Sequence, residues 1–290
     1  MNSLFRRTIL IIGVLITQIV GACAAKKPAA TEETPIQPPA HVTIANSEVR
    51  HLKSSATGRD YDIYIRLPDA YVPGNGKKYP VIYVLDGQWD FKLLDSIYGG
   101  LLYDKFVPEM IIVGITYSGE NPDYNTLRAL DYTPVHDVLF GDTGEGSKFY
   151  SFLKEQLLPY VESNYPVDPS QRVLMGSSFG GTFTLYALFT EPTLFSGYIA
   201  GSPTVVFGDG FAFKQEAEYA SGHKDLPVKL FISVGELEDL AGPVQEFIQV
   251  LRNRNYTGLE LGTRIIAGER HASNKPESYN RGLRFMFQDE

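Results

Sequence analysis

Cysteine is almost missing from this chain. The 290 residues contain one, Cys23, so no intramolecular disulfide braces the fold, and a domain of this size buries enough apolar surface to need none. Basic charge is scarce too. Lys and Arg number 26 against 34 Asp and Glu, for a net charge of −8 and a pI near 5.2. Basic residues adjoin only in pairs, as in Arg6-Arg7, Lys26-Lys27 and Lys77-Lys78, and no longer basic run occurs. A nucleic-acid surface needs clustered Lys and Arg against phosphate, so that class is excluded. Spacings such as H-x-x-x-H or C-x-x-C are absent, and the sequence calls for neither metal nor cofactor. Long apolar runs are short in supply as well. The stretch Thr8 to Val20 falls below the ~20 residues that cross a bilayer. What is present is ordinary globular material, 43% hydrophobic and 21% charged, with many Tyr and Phe and a single tryptophan, Trp89.

The N-terminal segment reads as a targeting signal. Arg6-Arg7 form a positive region ahead of the apolar Thr8 to Val20 stretch, giving a signal peptide over residues 1–22. Cys23 follows Val20-Gly21-Ala22, a pattern like a bacterial lipoprotein box, in which the cysteine is lipidated. The alternative is plain cleavage at a small-x-small site. Residues 23–40, rich in Pro, Ala, Thr and Glu, read as a flexible tether. The expectation is an exported protein, periplasmic or anchored at the outer membrane, touching membrane only through a lipid. Residues 41–290 are left as the folded domain.

Within that domain strand-like and helix-like segments alternate, which predicts an α/β sheet, mostly parallel and flanked by helices. Glu48 to Lys53 and Tyr61 to Leu67, turned by Gly58-Arg59-Asp60, predict an N-terminal antiparallel hairpin. Val81 to Leu85, Met110 to Ile115 and Arg172 to Met175 are apolar runs suited to central strands. Tyr198 to Ala200, Lys229 to Val234 and Glu260 to Ile266 complete the sheet. Helical patterns cover Phe91 to Leu102, Ser147 to Ser163, Phe179 to Thr190, Phe211 to Ala220, Val244 to Asn253 and Glu277 to Phe287. Two long connections, Thr116 to Gly146 and Ser202 to Lys224, leave the carboxyl ends of strands. Ligands bind at those ends, so both are candidate walls of a site.

The chemistry centres on Gly176-Ser177-Ser178-Phe179-Gly180. A bare G-x-S-x-G is weak, but this one sits between a predicted strand and a predicted helix, the setting of a nucleophile elbow. A serine hydroxyl needs an adjacent base, and the chain order for such an elbow is Ser, then acid, then His. His41, His51 and His136 precede the serine, and His223 precedes the strand that should deliver the acid. His271, in the loop after the last strand, is the remaining candidate. The acid belongs after Lys229 to Val234, where Gly235-Glu236-Leu237-Glu238-Asp239 offers three carboxylates. Spacing does not choose among Glu236, Glu238 and Asp239, and a Ser–His dyad is the further alternative. For the oxyanion, the backbone N–H groups of Phe179 and of Gln88, in Asp86-Gly87-Gln88, are the expected donors. Trp89, Arg128 and Tyr132 are candidates for substrate contact: the rings for stacking, Arg128 for an anionic group, with an ion pair to Asp131 as its structural alternative.

With those residues in view, the chain resembles the "Putative esterase" family of α/β-hydrolases. That group includes siderophore trilactone esterases, feruloyl esterases, S-formylglutathione hydrolase and mycolyltransferases. The resemblance runs from about Ser47 to Phe287 and rests on Val84-Leu85-Asp86-Gly87, Arg128-Ala129-Leu130-Asp131-Tyr132-Thr133-Pro134, Gly176 to Gly181, Gly235 to Glu238 and Arg270-His271. It implies an α/β-hydrolase fold and a serine ester hydrolase acting through an acyl-enzyme on Ser178. It also implies an acid three residues after a glycine, which is Glu238. The Arg-x-x-Asp-Tyr-Thr-Pro segment looks most like the siderophore-esterase branch. Ser177 stands where the family often has His, and Glu238 where Asp is commoner. The rival readings are an acetyl or feruloyl esterase working on polysaccharide-linked acyl groups, and a non-catalytic surface binding protein on a hydrolase scaffold.

Overall fold

The computed structural model describes residues 41–288. The expected signal peptide, Cys23 and the tether lie outside the described residues.

Eight strands form one sheet in the order β1-β2-β4-β3-β5-β6-β7-β8. They are β1 (Ser47–Lys53), β2 (Asp60–Arg66), β3 (Tyr79–Val84), β4 (Ile111–Tyr117), β5 (Val167–Ser177), β6 (Gly197–Gly201), β7 (Lys229–Gly235) and β8 (Glu260–Ile266). The β1–β2 hairpin and the β2–β4 pairing are antiparallel, and every other pairing is parallel. Among the described residues the α-helices are α1 (Gly87–Tyr103), α2 (Tyr124–Tyr132), α3 (Gly146–Phe152), α4 (Leu158–Asn164), α5 (Phe179–Thr190), α6 (Phe207–Gly222), α7 (Ala241–Arg254) and α8 (Lys275–Phe287).

Strand alternation sorts the core into two layers. On β3, Ile82 and Val84 point to one face, where Phe91, Leu94 and Tyr98 of α1 and Tyr279, Leu283 and Met286 of α8 cover them. Val81, Tyr83 and Leu85 point to the other face, beneath α3 to α7. Central strands buried on both sides explain why β3 and β4 read as unbroken apolar runs. The chain steps from β3 to β4 on one side and then returns to place β5 on the other. The crevice between the carboxyl ends of β3 and β5 is therefore the topological switch point, where open α/β sheets bind ligands.

Several boundaries differ from the sequence reading. The connection from Thr116 to Gly146 is not structureless, because it contains α2, capped by the Asp123 side chain accepting from Thr126 N–H at 3.2 Å. The helix expected over Ser147 to Ser163 is present but passes through a π turn at Leu153–Leu157. Pro159, at the start of α4, has no N–H to continue the α ladder, which suits a π turn there. The element α6 opens on a kink in which Gly208, Asp209 and Gly210 are left-handed, so its regular right-handed part begins at Phe211, the start expected from the sequence.

Candidate active site

The elbow forms because β5 ends at Ser177 and α5 begins at Phe179, leaving one residue to reverse the chain. Ser178 occupies that position at φ 61°, ψ −124°, a region L-residues adopt only when the surroundings hold them there. Its N–H donates to Gly201 O at 2.9 Å, and Thr182 N–H returns to Ser178 O at 2.9 Å. Two glycines are obligatory for close approach. A Cβ on Gly176 would lie 2.5 Å from the Gly180 backbone, and one on Gly181 2.8 Å from Gly201 O.

The amides expected to face an oxyanion stand at two helix starts. Phe179 opens α5 and Gln88 is the second residue of α1, so neither N–H has a partner within its own helix. Among the described residues neither meets another acceptor. Asp86 turns the chain into α1 in the left-handed region, φ 55°. The Gln88 side chain is held by Thr116 Oγ1, which donates to Oε1 at 2.7 Å.

Arg128 and Tyr132 do not have the roles expected of them. The Arg128 guanidinium makes a fork with the buried Asp86 carboxylate, Nε–Oδ1 and Nη2–Oδ2 each 2.8 Å. Its charge is already matched, which removes it as the partner of a substrate anion. Burial pulls its pKa down, but the Asp86 hydrogen bonds and charge outweigh that and hold it above its ordinary value. The alternative pairing with Asp131 is absent too, because Asp131 binds Arg59 at 2.9 Å and Tyr61 Oη at 2.7 Å. Tyr132 is 1% exposed, packed against Phe149 and Phe183. Its Oη accepts from Asp86 N–H at 3.1 Å. The ring has no open face for substrate stacking, and the residue supports the Asp86 turn from within the core.

Arg128 instead bridges the two loops that carry the Gln88 and Phe179 amides. Besides Asp86, its Nη2 reaches Ser177 O at 3.4 Å, and the guanidinium lies against the Phe179, Tyr132 and Trp89 rings at 5.5 to 5.9 Å.

Glu238 and His271, on the loops after β7 and β8, meet side chain to side chain. His271 Nδ1 lies 2.6 Å from Glu238 Oε2, so Nδ1–H donates to the carboxylate and Nε2 is the nitrogen left to face a serine. Glu238 Oε1 accepts from Gly235 N–H at 2.6 Å, Ser202 Oγ at 2.7 Å and Asn274 Nδ2 at 2.8 Å. Of the other two carboxylates, Glu236 accepts from Gly268 N–H at 2.8 Å and pins the loop leading to His271, while Asp239 is exposed. A hydrogen-bonded path links the two sides. Ser178 is tied to Gly201, and the next residue, Ser202, to Glu238 and so to His271.

Sequence reading missed the supports of this pair. Ser202 and Asn274 lie outside any motif, and the buried Asp90, which binds Lys275 at 2.9 Å and also Tyr279, ties α1 to α8. Burial pushes the Asp90 pKa up, with the Lys275 charge opposing it.

Apolar side chains make up part of the rim around the site. Exposed Trp89, Val138, Leu139, Phe140, Val206 and Leu237 lie on connections leaving the carboxyl ends of strands. Phe140 packs on Phe179 and Phe207 with ring centroids 5.8 and 5.3 Å apart, and Trp89 meets Tyr124 at 5.8 Å. A depression of about 350 Å³ at His271 is lined by Leu237 and Leu240 together with the charged Glu238, Asp239 and Arg270. A larger one, about 430 Å³, opens at the amino-terminal edge of β5 to β7 and contains none of these residues.

A mostly parallel sheet with a serine elbow at its switch point, a downstream acid and a downstream histidine defines a serine hydrolase of the α/β-hydrolase fold. Residues 54–262 match the family described as "Putative esterase". The ferri-bacillibactin esterase BesA of Bacillus subtilis is 31% identical over 84% of this chain and 90% of its own length. The siderophore triacetylfusarinine C esterase of Aspergillus fumigatus is 27% identical over 87% of this chain and 96% of its own. Among solved structures, the BES protein from Bacillus cereus superposes with a TM-score of 0.78 at 29% identity, covering 89% of this chain and 100% of the other. The chain belongs to the "Putative esterase" family and is a serine ester hydrolase.

Proposed function

We propose that the enzyme hydrolyses a siderophore ester, a trilactone or a related hydroxy-acid ester, through an acyl-enzyme on Ser178. The observation that carries this reading is the end-to-end similarity to an esterase of ferri-bacillibactin. The aromatic mouth formed by Trp89, Tyr124 and Phe140 supports it, since aryl acyl groups stack on such rings.

In this reading His271 Nε2 takes the Ser178 proton as Oγ attacks the ester carbonyl. Glu238 holds the tautomer and stabilises the imidazolium. The oxyanion of the tetrahedral intermediate points at the Gln88 and Phe179 N–H groups. Collapse breaks the C–O bond, and His271 returns the proton to the leaving alkoxide. Water, deprotonated by His271, then attacks the acyl-enzyme and releases the carboxylic acid and free Ser178.

A panel of ferric and metal-free trilactones, p-nitrophenyl esters and feruloyl esters tests the reading. Turnover of the trilactones is expected to exceed that of the simple esters in kcat/KM. If short acyl or feruloyl esters turn over while every trilactone is untouched, the siderophore assignment fails and the polysaccharide-deacylating reading replaces it. Export and lipidation at Cys23 are further parts of the proposal, supported by residues 6–23. Radiolabelled palmitate incorporated into the wild type but not into Cys23→Ser checks them.

A further inference from the structure

Asn274 stands at the N-cap of α8, yet its side chain does not cap that helix. Every hydrogen bond of its amide nitrogen goes elsewhere: to Glu238 Oε1 at 2.8 Å, Ser202 Oγ at 3.0 Å, and the carbonyl oxygens of Arg270 and His271, both at 2.9 Å. A primary amide carries two hydrogens, and these acceptors fall into two neighbouring pairs. One pair belongs to the acid and its hydroxyl partner, the other to the backbone that carries the base. Reversing the amide would set Oδ1 against a carboxylate oxygen and two carbonyls, so the orientation is fixed by charge.

The arrangement has a cost that stability alone does not explain. Asn274 is fully buried, and its Oδ1 has no hydrogen-bond partner among the described residues. An unpaired buried acceptor is destabilising, and such groups persist where a site needs the rest of the side chain.

With Ser178, His271 and Glu238 taken as the triad, as proposed above, we propose that Asn274 is the positioning residue that sets Glu238 against His271. Three donors converge on Glu238 Oε1, which fixes the rotation of the carboxylate and turns Oε2 toward the imidazole. The same nitrogen grips the carbonyls of Arg270 and His271, so one side chain fixes both ends of the acid–base contact. Ser202 assists, held at φ 40° so that its hydroxyl reaches the same oxygen.

The test is Asn274→Ala, measured as a full pH profile on a p-nitrophenyl ester with the fold checked by circular dichroism. The expected result is a kcat lower by roughly 10- to 10²-fold at nearly constant KM, as small misplacements of a catalytic group produce. The acidic limb of kcat/KM should also move to lower pH, because the imidazolium loses part of its carboxylate support. In a Glu238→Gln background the same substitution should cost less than about threefold, since the two residues act as a unit. An unmoved limb, or a full additive loss in the Glu238→Gln background, overturns the inference. Should Asn274→Ala fail to fold, Ser202→Gly replaces it. That change removes the second donor while suiting the positive φ, and the limb must move in the same direction. Labelling of wild-type Ser178 by a fluorophosphonate separates the two levels. If the wild type is unlabelled, the triad reading falls and this one with it; if it is labelled and the limb stays put, this one falls alone.

Discussion

The two sides of the site are built on opposite terms. On the switch-point side, between β3 and β5, the supporting charges are dry: the Asp86 side chain is 1% exposed and that of Arg128 13%. On the β7–β8 side the acid is equally buried, at 3%, but its histidine is 45% exposed. The difference follows from what each side does. Amide donors that receive developing charge work best when they do not move and water is excluded. A base that takes and returns a proton must change charge every cycle, and an imidazolium fully removed from water would resist forming.

The comparison is tested most severely by its endpoints. Ser178→Ala and His271→Ala should each remove ~10⁴-fold or more of turnover, measured as kcat on a simple ester, with folding unaffected. Parity between either variant and the wild type would dissolve the distinction between the two sides.

Next in size is Arg128→Ala. It leaves the Asp86 carboxylate buried without its cation, which costs about 3–5 kcal/mol of stability for such pairs, and it frees the two amide-bearing loops. A chemical-denaturation midpoint well below the wild type's, with kcat lowered by roughly 10²-fold, is expected. Arg128→Lys should rescue little, because a point charge cannot make the two-pronged contact. A variant that loses only affinity for anionic substrates would instead return Arg128 to substrate binding.

The smallest effect concerns α2, which carries both Arg128 and Asp131. Burial raises the Asp131 pKa to about 6, against the opposing charge of Arg59. Its folded value therefore lies above its unfolded one. The stability it contributes is fully present below the unfolded value and is lost as pH rises to about 6. Asp131→Asn should flatten the fall in unfolding free energy across that window, read by denaturation at several pH values, while leaving the pH profile of activity unmoved. A change in the activity limb would mean that the two sides are not independent.

Much of this molecule was legible in its sequence, for local reasons. The strands β3 and β4 are continuous apolar runs, and the elbow is a strand, one residue and a helix in succession. His271 follows from chain order and from the loop it occupies, whereas chain order leaves Glu236, Glu238 and Asp239 open and only the family resemblance points to Glu238. The amino-terminal half of β5 was not legible, because Asp168-Pro169-Ser170-Gln171 carries turn chemistry within a strand. Helix α2 is nine residues long and polar on one side, too short for its period to stand out within a long connection. The Asp86–Arg128 fork spans 42 residues of sequence and the Asn274–Glu238 contact 36. Such pairings exist only once the sheet has brought separate loops together, and no spacing announces them.

The Asp86–Arg128 fork also bears on how the enzyme and its substrate meet. An arginine neutralised at contact projects little field into solution, and the chain as a whole carries a net charge of −8. For the siderophore substrate proposed above, encounter with an anionic ferric complex would be slowed by repulsion and quickened by added salt, whereas a less charged, metal-free ester would be nearly indifferent to ionic strength.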